Sequence, residues 1–174
     1  DQIVARFGTL DILVNNAGGS PPSDTSNVSA NFSQKIVAVN LFTAMWCSQV
    51  ANRLMQSQIN GGAIINIGSV SALRPAPTVA AYGAAKAGLV NYTQTTGQEW
   101  LPKVRVNLVT VGMVRTELAH LHYGDEEGVR RTGSQIPIGR LADATEIGDV
   151  CVFLASPLAA YVSGASIEAH GGGD

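Results

Sequence analysis

The 174-residue chain has little charge. Asp, Glu, Lys and Arg together make up 14% of it, against about a quarter in an ordinary soluble domain. Aromatic residues are also few, at 6%. The formal net charge of -2 lacks the basic excess that nucleic acid or an anionic membrane surface would call for. No apolar run reaches membrane-spanning length, and no signal peptide is read. There are two cysteines, Cys47 and Cys151. Both fall in expected helices without metal-ligand spacing, which points to free thiols in a reducing, cytoplasmic setting.

Glycine, by contrast, is abundant, with 19 residues. Low charge and many glycines suit an α/β domain with much buried surface and tight turns. The length is right for one core, so residues 1–174 are read as a single domain. The order of elements is legible. Residues 1–7 read as the end of a helix, stopped by Gly8 in a left-handed conformation. Asp11-Ile12-Leu13-Val14-Asn15 is a continuous apolar run, the mark of a parallel strand buried on both faces. Asn16-Ala17-Gly18-Gly19 follows as a tight turn. Residues 30–57 predict one long helix, with Phe32, Ile36, Val39, Phe42, Met45 and Trp46 at helical spacing. Residues 62–69 read as a buried strand ending at Ser69, and residues 104–111 as another.

Between them, a helix carries Tyr82 and Lys86. The polar stretch 112–140, with His120 and His122, is too long for a simple connection and reads as a lid or binding loop near substrate. Asp143 and Glu146 have capping-box spacing for a further helix, and residues 165–169 form a last strand. Strands alternating with helices predict a doubly wound, Rossmann-like parallel sheet. In such sheets ligands bind outside the carboxyl ends of the strands, where Asn16, Ser69 and Gly112 all fall.

Tyr82 and Lys86 stand four positions apart, so a phenol and an ammonium share one helix face. Taken alone, that spacing also describes an ordinary surface pair. With a hydroxyl at a strand end it becomes an acid–base constellation. One positive charge about 4 Å from a phenol, at an effective dielectric of about 20, favours the phenolate by roughly 4 kcal/mol. That bias is what lets a phenol do acid–base work near neutral pH. Ser71 is the rival to Ser69 for the hydroxyl.

On these residues the chain resembles the short-chain dehydrogenase/reductase family, in its compact type. The matching motifs are Asn15-Asn16-Ala17-Gly18, Asn40 in Val39-Asn40-Leu41, Ser69 thirteen residues before Tyr82, Tyr82-Gly83-Ala84-Ala85-Lys86, and Gly112-Met113-Val114-Arg115-Thr116. The resemblance is to the later part of a Rossmann fold, and spans essentially all 174 residues. It departs in Val111-Gly112 where the family has Pro-Gly, and in His170-Gly171-Gly172 where it has Asp-Gly-Gly. No Gly-rich fingerprint lies in the chain. By the family pattern about 70 residues carrying the first three strands would precede Asp1. Without such strands, Ile12, Leu13 and Val14 would lie at an open sheet edge.

The resemblance implies a nicotinamide cofactor, NAD or NADP, and hydride transfer to or from a ketone or secondary alcohol. It implies Tyr82 as acid–base, Lys86 as its electrostatic partner and ribose ligand, Ser69 as donor to the carbonyl oxygen, and Asn40 as the anchor of a water beside Lys86. Asn16, Ala17, Gly18, Gly112, Val114 and Thr116 would hold cofactor together with Tyr82 and Lys86. No metal, nucleic acid or membrane partner is implied. The assembly would be a homotetramer or dimer pairing the long helices, with Ala80, Ala84 and Gly88 allowing close approach. Two other readings stand beside this one. Ser, Tyr and Lys also serve acyl-transfer enzymes, but Ala72 and Arg74 occupy the positions where such chemistry wants its lysine. The chain could also be a non-catalytic fragment or interaction module.

Overall fold

A computed structural model describes residues 2–117, 119 and 123–173. His120 and His122 lie outside the described residues. Helix α1 (Gln2–Phe7) ends at Gly8, whose φ of 80° is the left-handed stop expected there. Strand β1 (Ile12–Asn15) leads through an exposed turn and loop to α2 (Ala30–Val37), capped by the Ser29 hydroxyl on the Phe32 amide. A π-helical segment (Ala38–Phe42) joins α2 to α3 (Thr43–Ser57). The expected single helix is therefore continuous in direction, but widened by one turn around Asn40.

The remaining elements are β2 (Gly62–Ile67), α4 (Ala80–Glu99), β3 (Val104–Val111), β4 (Val114–Arg115), α5 (Glu126–Gly133), β5 (Ala142–Asp143), α6 (Ala144–Ala155) and β6 (Ser166–Ala169). Four strands form a parallel sheet in the order β1-β2-β3-β6, and β4 pairs with β5 in a separate two-stranded ladder. The fold is the Rossmann-like α/β architecture expected. Because every pairing in the main sheet is parallel, each connection must cross over a face.

Alternation along the strands sorts the core. Ile64 and Val106 point to α3 and pack with Ala51 and Met55, while Leu108 meets Leu89 of α4 and Ala44. Ala63, Ile65 and Val109 point the other way, onto Leu154 of α6 and Ala159. β2 and β3, read from sequence as buried strands, are thus buried on both faces. β1 is not. Ile12 is 49% exposed and Val14 44%, and only Leu13 joins the core. The physical reason is position: β1 lies at the edge of this four-stranded sheet, and α3 covers just one of its faces.

The stretch 112–140 also departs from a plain loop. It holds β4 and α5, the latter capped by the Asp125 carboxylate on the Gly128 amide, with Glu126 and Glu127 in its first turn. α5 has almost no apolar face, so periodicity had nothing to report. The capping box on α6 is as expected: Glu146 accepts from the Asp143 amide at 2.8 Å and also takes the Arg140 guanidinium at 2.6 and 2.7 Å. Among the described residues no helix is long and apolar enough to cross a membrane.

Candidate active site

The carboxyl ends of β1 and β2 are tied together below the site by buried amides. Asn15 Nδ2 donates to Asn66 Oδ1 at 2.8 Å and to Ser48 Oγ at 2.9 Å, and Asn66 Nδ2 donates to Thr93 Oγ1 at 2.9 Å. Asn66 and Thr93 are almost fully buried. These bonds join β1, β2, α3 and α4 at one level of the sheet. Asn66 and Thr93 were not singled out from sequence. Two polar residues in apolar surroundings were the available signal, because buried polar groups need partners.

Above that level, the turn after β1 carries Asn16, Ala17, Gly18 and Gly19, all exposed. Asn40 holds it. The Asn40 side chain is 1% exposed, accepts from the Gly19 amide at 2.8 Å, and donates to the Gly19 carbonyl at 2.8 Å and the Ile36 carbonyl at 2.9 Å. Gly18 lies against the same amide, and a Cβ there would come within 2.6 Å of Asn40 Oδ1 and 3.3 Å of Lys86 Nζ. Sequence reasoning gave Asn40 a water to anchor. In the structure both of its amide hydrogens are used by backbone carbonyls, and its visible work is to fix this turn.

Lys86 reaches the cluster from α4. Its side chain is buried, and Nζ donates to the Ile67 carbonyl at 2.6 Å at the end of β2. Burial pushes the ammonium down from 10.5 to about 8, since a charge is disfavoured out of water. Nζ also lies 5.8 Å from the centre of the Tyr82 ring. The pair therefore shares a face, as four-residue spacing predicted. α4 can come this close because its residues are small. A Cβ at Gly83 would be 2.8 Å from the Ser71 carbonyl, and one at Gly88 would be 3.1 Å from Leu41. Gly88 thus packs inside its own chain, leaving Ala80 and Ala84 on the exposed side.

Ser69 stands two residues beyond β2 and caps a short 3-10 turn (Val70–Ala72). Its hydroxyl oxygen accepts from the Ser71 amide at 3.2 Å, and the residue is 9% exposed. The same turn carries the Ser71 carbonyl that packs on Gly83, so Ser69 and Tyr82 are attached to one packed unit. Gly112, Val114 and Thr116 stand apart, on the segment running from the end of β3 through β4, and share no hydrogen bond with the Lys86 cluster among the described residues. Gly112 donates to the Ala169 carbonyl at 3.2 Å, and a Cβ there would be 2.7 Å from His170 Cβ. Only glycine admits so close an approach. Thr116 is exposed and its carbonyl accepts from Ala119 at 3.0 Å.

The arrangement offers a cation, a phenol and a hydroxyl with one proton free to donate, at the edge of a parallel sheet. It fits a nicotinamide ribose and its ring in two respects. The exposed turn at Gly18 is held open beside an ammonium, and Gly112 keeps a second backbone segment free of side-chain bulk.

Comparison with known proteins agrees with this architecture. The profile of a family described as Enoyl-(Acyl carrier protein) reductase matches residues 1–173. The chain is 38% identical to an uncharacterized short-chain type dehydrogenase/reductase of Sinorhizobium fredii, over 99% of this chain and 68% of that protein. It is 37% identical to the L-rhamnose 1-dehydrogenase (NAD(P)(+)) of Azotobacter vinelandii, over 97% of this chain and 66% of that protein. The structure of Thermoplasma acidophilum aldohexose dehydrogenase in ligand-free form superposes with a TM-score of 0.93 at 28% identity, covering 99% of this chain and 71% of that one. The chain spans about two thirds of the length of the curated relatives it matches, from 65% upward.

Proposed function

Since the chain belongs to the short-chain dehydrogenase/reductase family, we propose that it carries the acid–base half of an oxidoreductase acting on a ketone or secondary alcohol, with NAD or NADP as partner and Tyr82 as the proton donor and acceptor. The observation that carries this reading is the Lys86 ammonium, buried at the sheet's carboxyl edge one helical turn from Tyr82 and against the turn at Gly18.

A bound nicotinamide supplies a hydride to the carbonyl carbon in reduction and accepts it in oxidation. In reduction the Tyr82 hydroxyl gives its proton to the carbonyl oxygen, and in oxidation the phenolate takes it back. Lys86 is still mostly cationic at neutral pH, because burial brings it only to about 8. Its charge therefore stabilises the phenolate when the proton leaves. Ile67 takes one of its three hydrogens, and the others suit a ribose hydroxyl. At Ser69, the Ser71 amide occupies the oxygen as acceptor, which leaves the hydroxyl proton to donate to the substrate oxygen and stabilise charge developing there. Asn16, Ala17, Gly18, Gly112, Val114 and Thr116 would line the cofactor with backbone and small side chains. Asn40 acts through the turn it holds.

We read residues 1–174 as one domain, working in the cytoplasm within a homotetramer or dimer. A stripe of Val39, Phe42, Trp46 and Val50 is exposed along the π-helical segment and α3, and supports helix-to-helix assembly.

The deciding experiment replaces Tyr82 by Phe in the full-length protein. The variant is expected to fold with an unchanged circular dichroism spectrum and to lose nearly all turnover. Activity within tenfold of the parent would sink the assignment.

A further inference from the structure

A cavity of about 190 Å³ opens at Gly112, one of the residues proposed to line the cofactor. Its walls come from the carboxyl-edge segments that follow three strands: Arg74 after β2, Gly112 and Met113 after β3, and His170 after β6. Gln135, just past α5, closes it. Among the described residues Arg74 is the one permanently charged side chain on these walls, and no carboxylate lines them. Glu168 is turned to His170 Nε2, 2.9 Å away, and belongs to a neighbouring cavity. No salt bridge among the described residues takes the Arg74 guanidinium. α5 ends near this wall, and Arg130 and Arg131 in its last turn offset the negative end of its dipole.

The position of Arg74 is built. Ser69 caps the start of its loop, and the Leu73 and Arg74 amides both donate to the Val70 carbonyl, at 3.0 and 3.2 Å. Pro75 follows and narrows the backbone freedom of Arg74. At the far end the Thr78 carbonyl accepts from the Ser23 amide at 2.8 Å. One short loop therefore bears both Ser69 and Arg74, and packs on α4 through Gly83, the neighbour of Tyr82. Arg74 thus stands five residues beyond Ser69, on the loop that packs beside Tyr82 and also lines the cavity.

We propose that this cavity receives a carboxylate on the substrate, held by Arg74, so that the enzyme prefers short hydroxy- and oxo-acids to neutral sugars and to steroids. This rests on the Tyr82 reading above. A planar guanidinium matches a carboxylate with two parallel hydrogen bonds, which a neutral hydroxyl cannot return. A cavity of about 190 Å³ suits a short ligand, since pockets for drug-sized compounds run from about 300 to 1,000 Å³.

The test uses the full-length protein with NAD and with NADP. Four substrates are compared: 3-hydroxybutanoate, its neutral analogue 3-hydroxybutanamide, 4-hydroxypentanoate for a longer reach, and threitol. One or both acids should exceed the amide in kcat/KM by about tenfold or more, mostly through KM. That ratio should collapse in Arg74→Met and Arg74→Gln and be partly kept in Arg74→Lys. Turnover of the amide or threitol equal to or above that of both acids would overturn the subsite and leave the Tyr82 reading standing. An acid preference that persists in Arg74→Met would also overturn it. Failure to oxidise any of the four with either cofactor would overturn the subsite alone, since the Tyr82 reading admits any ketone or secondary alcohol.

Discussion

Asn40 holds Gly19 by both of its backbone groups: the side-chain oxygen accepts from the Gly19 amide and the side-chain nitrogen donates to the Gly19 carbonyl, each at 2.8 Å. The residues are 21 positions apart, one in the π-helical segment and one in the turn after β1. The turn that borders Lys86 is therefore positioned from a helix and not by its own sequence.

Asn40→Asp tests that relationship at almost constant volume. The carboxylate keeps the bond from the Gly19 amide and turns oxygen toward the carbonyls of Gly19 and Ile36. The buried Ile36 carbonyl and the part-buried Gly19 carbonyl then lose their donor next to a buried charge, at a cost of about 2–4 kcal/mol. Urea denaturation should show the loss, together with weakened cofactor binding measured by fluorescence titration. Parent-like stability and binding would mean the turn holds itself.

Ser69 and Ser71 can be separated by alanine substitution in the full-length protein. Ser69→Ala should lower kcat by about a hundredfold, the effect of one missing oxyanion donor. Ser71→Ala should cost much less, because the link to Ser69 is made by the Ser71 backbone amide, which alanine retains. A larger loss in Ser71→Ala would move the role two residues along the loop.

Lys86 has a signature in stability against pH. Its ammonium falls from 10.5 to about 8 on burial. Below about 8 both states hold the proton, and the folded state carries the buried charge. Between about 8 and 10.5 the unfolded chain binds more protons, so this contribution to stability rises with pH. The full span corresponds to about 3 kcal/mol. Lys86→Met removes it, so the stability of the variant minus that of the parent should shrink from pH 7 to pH 10.5. Chemical denaturation at several pH values reads that difference, and a flat profile would contradict the burial account.

Assembly can be probed on the exposed stripe of the π-helical segment and α3. Trp46 is 58% exposed and its ring lies 5.8 Å from that of Phe42. Trp46→Lys in the full-length protein should shift light scattering from tetramer or dimer toward monomer, while the fold is kept. An unchanged mass would place the contact elsewhere.

The sequence alone determined what short-range periodicity can encode. Apolar runs marked β2 and β3 as buried strands, four-residue spacing put Tyr82 and Lys86 on one helix face, and Asp143 with Glu146 announced the start of α6. Each of these depends on residues within a turn or two of one another. Helix α5 escaped because its cap and charges lack an apolar stripe, whereas the apolar run at β1 suggested burial on both faces, which an edge strand with one covered face does not have. Tertiary structure decided the partners. The Ile67 carbonyl that receives Lys86 is 19 positions away, Thr93 is 27 from Asn66, and Asn66 is 51 from Asn15. Those pairings exist because parallel strands bring their carboxyl ends to one edge, where groups cut off from water must find hydrogen-bond partners in whichever segment the crossover delivers.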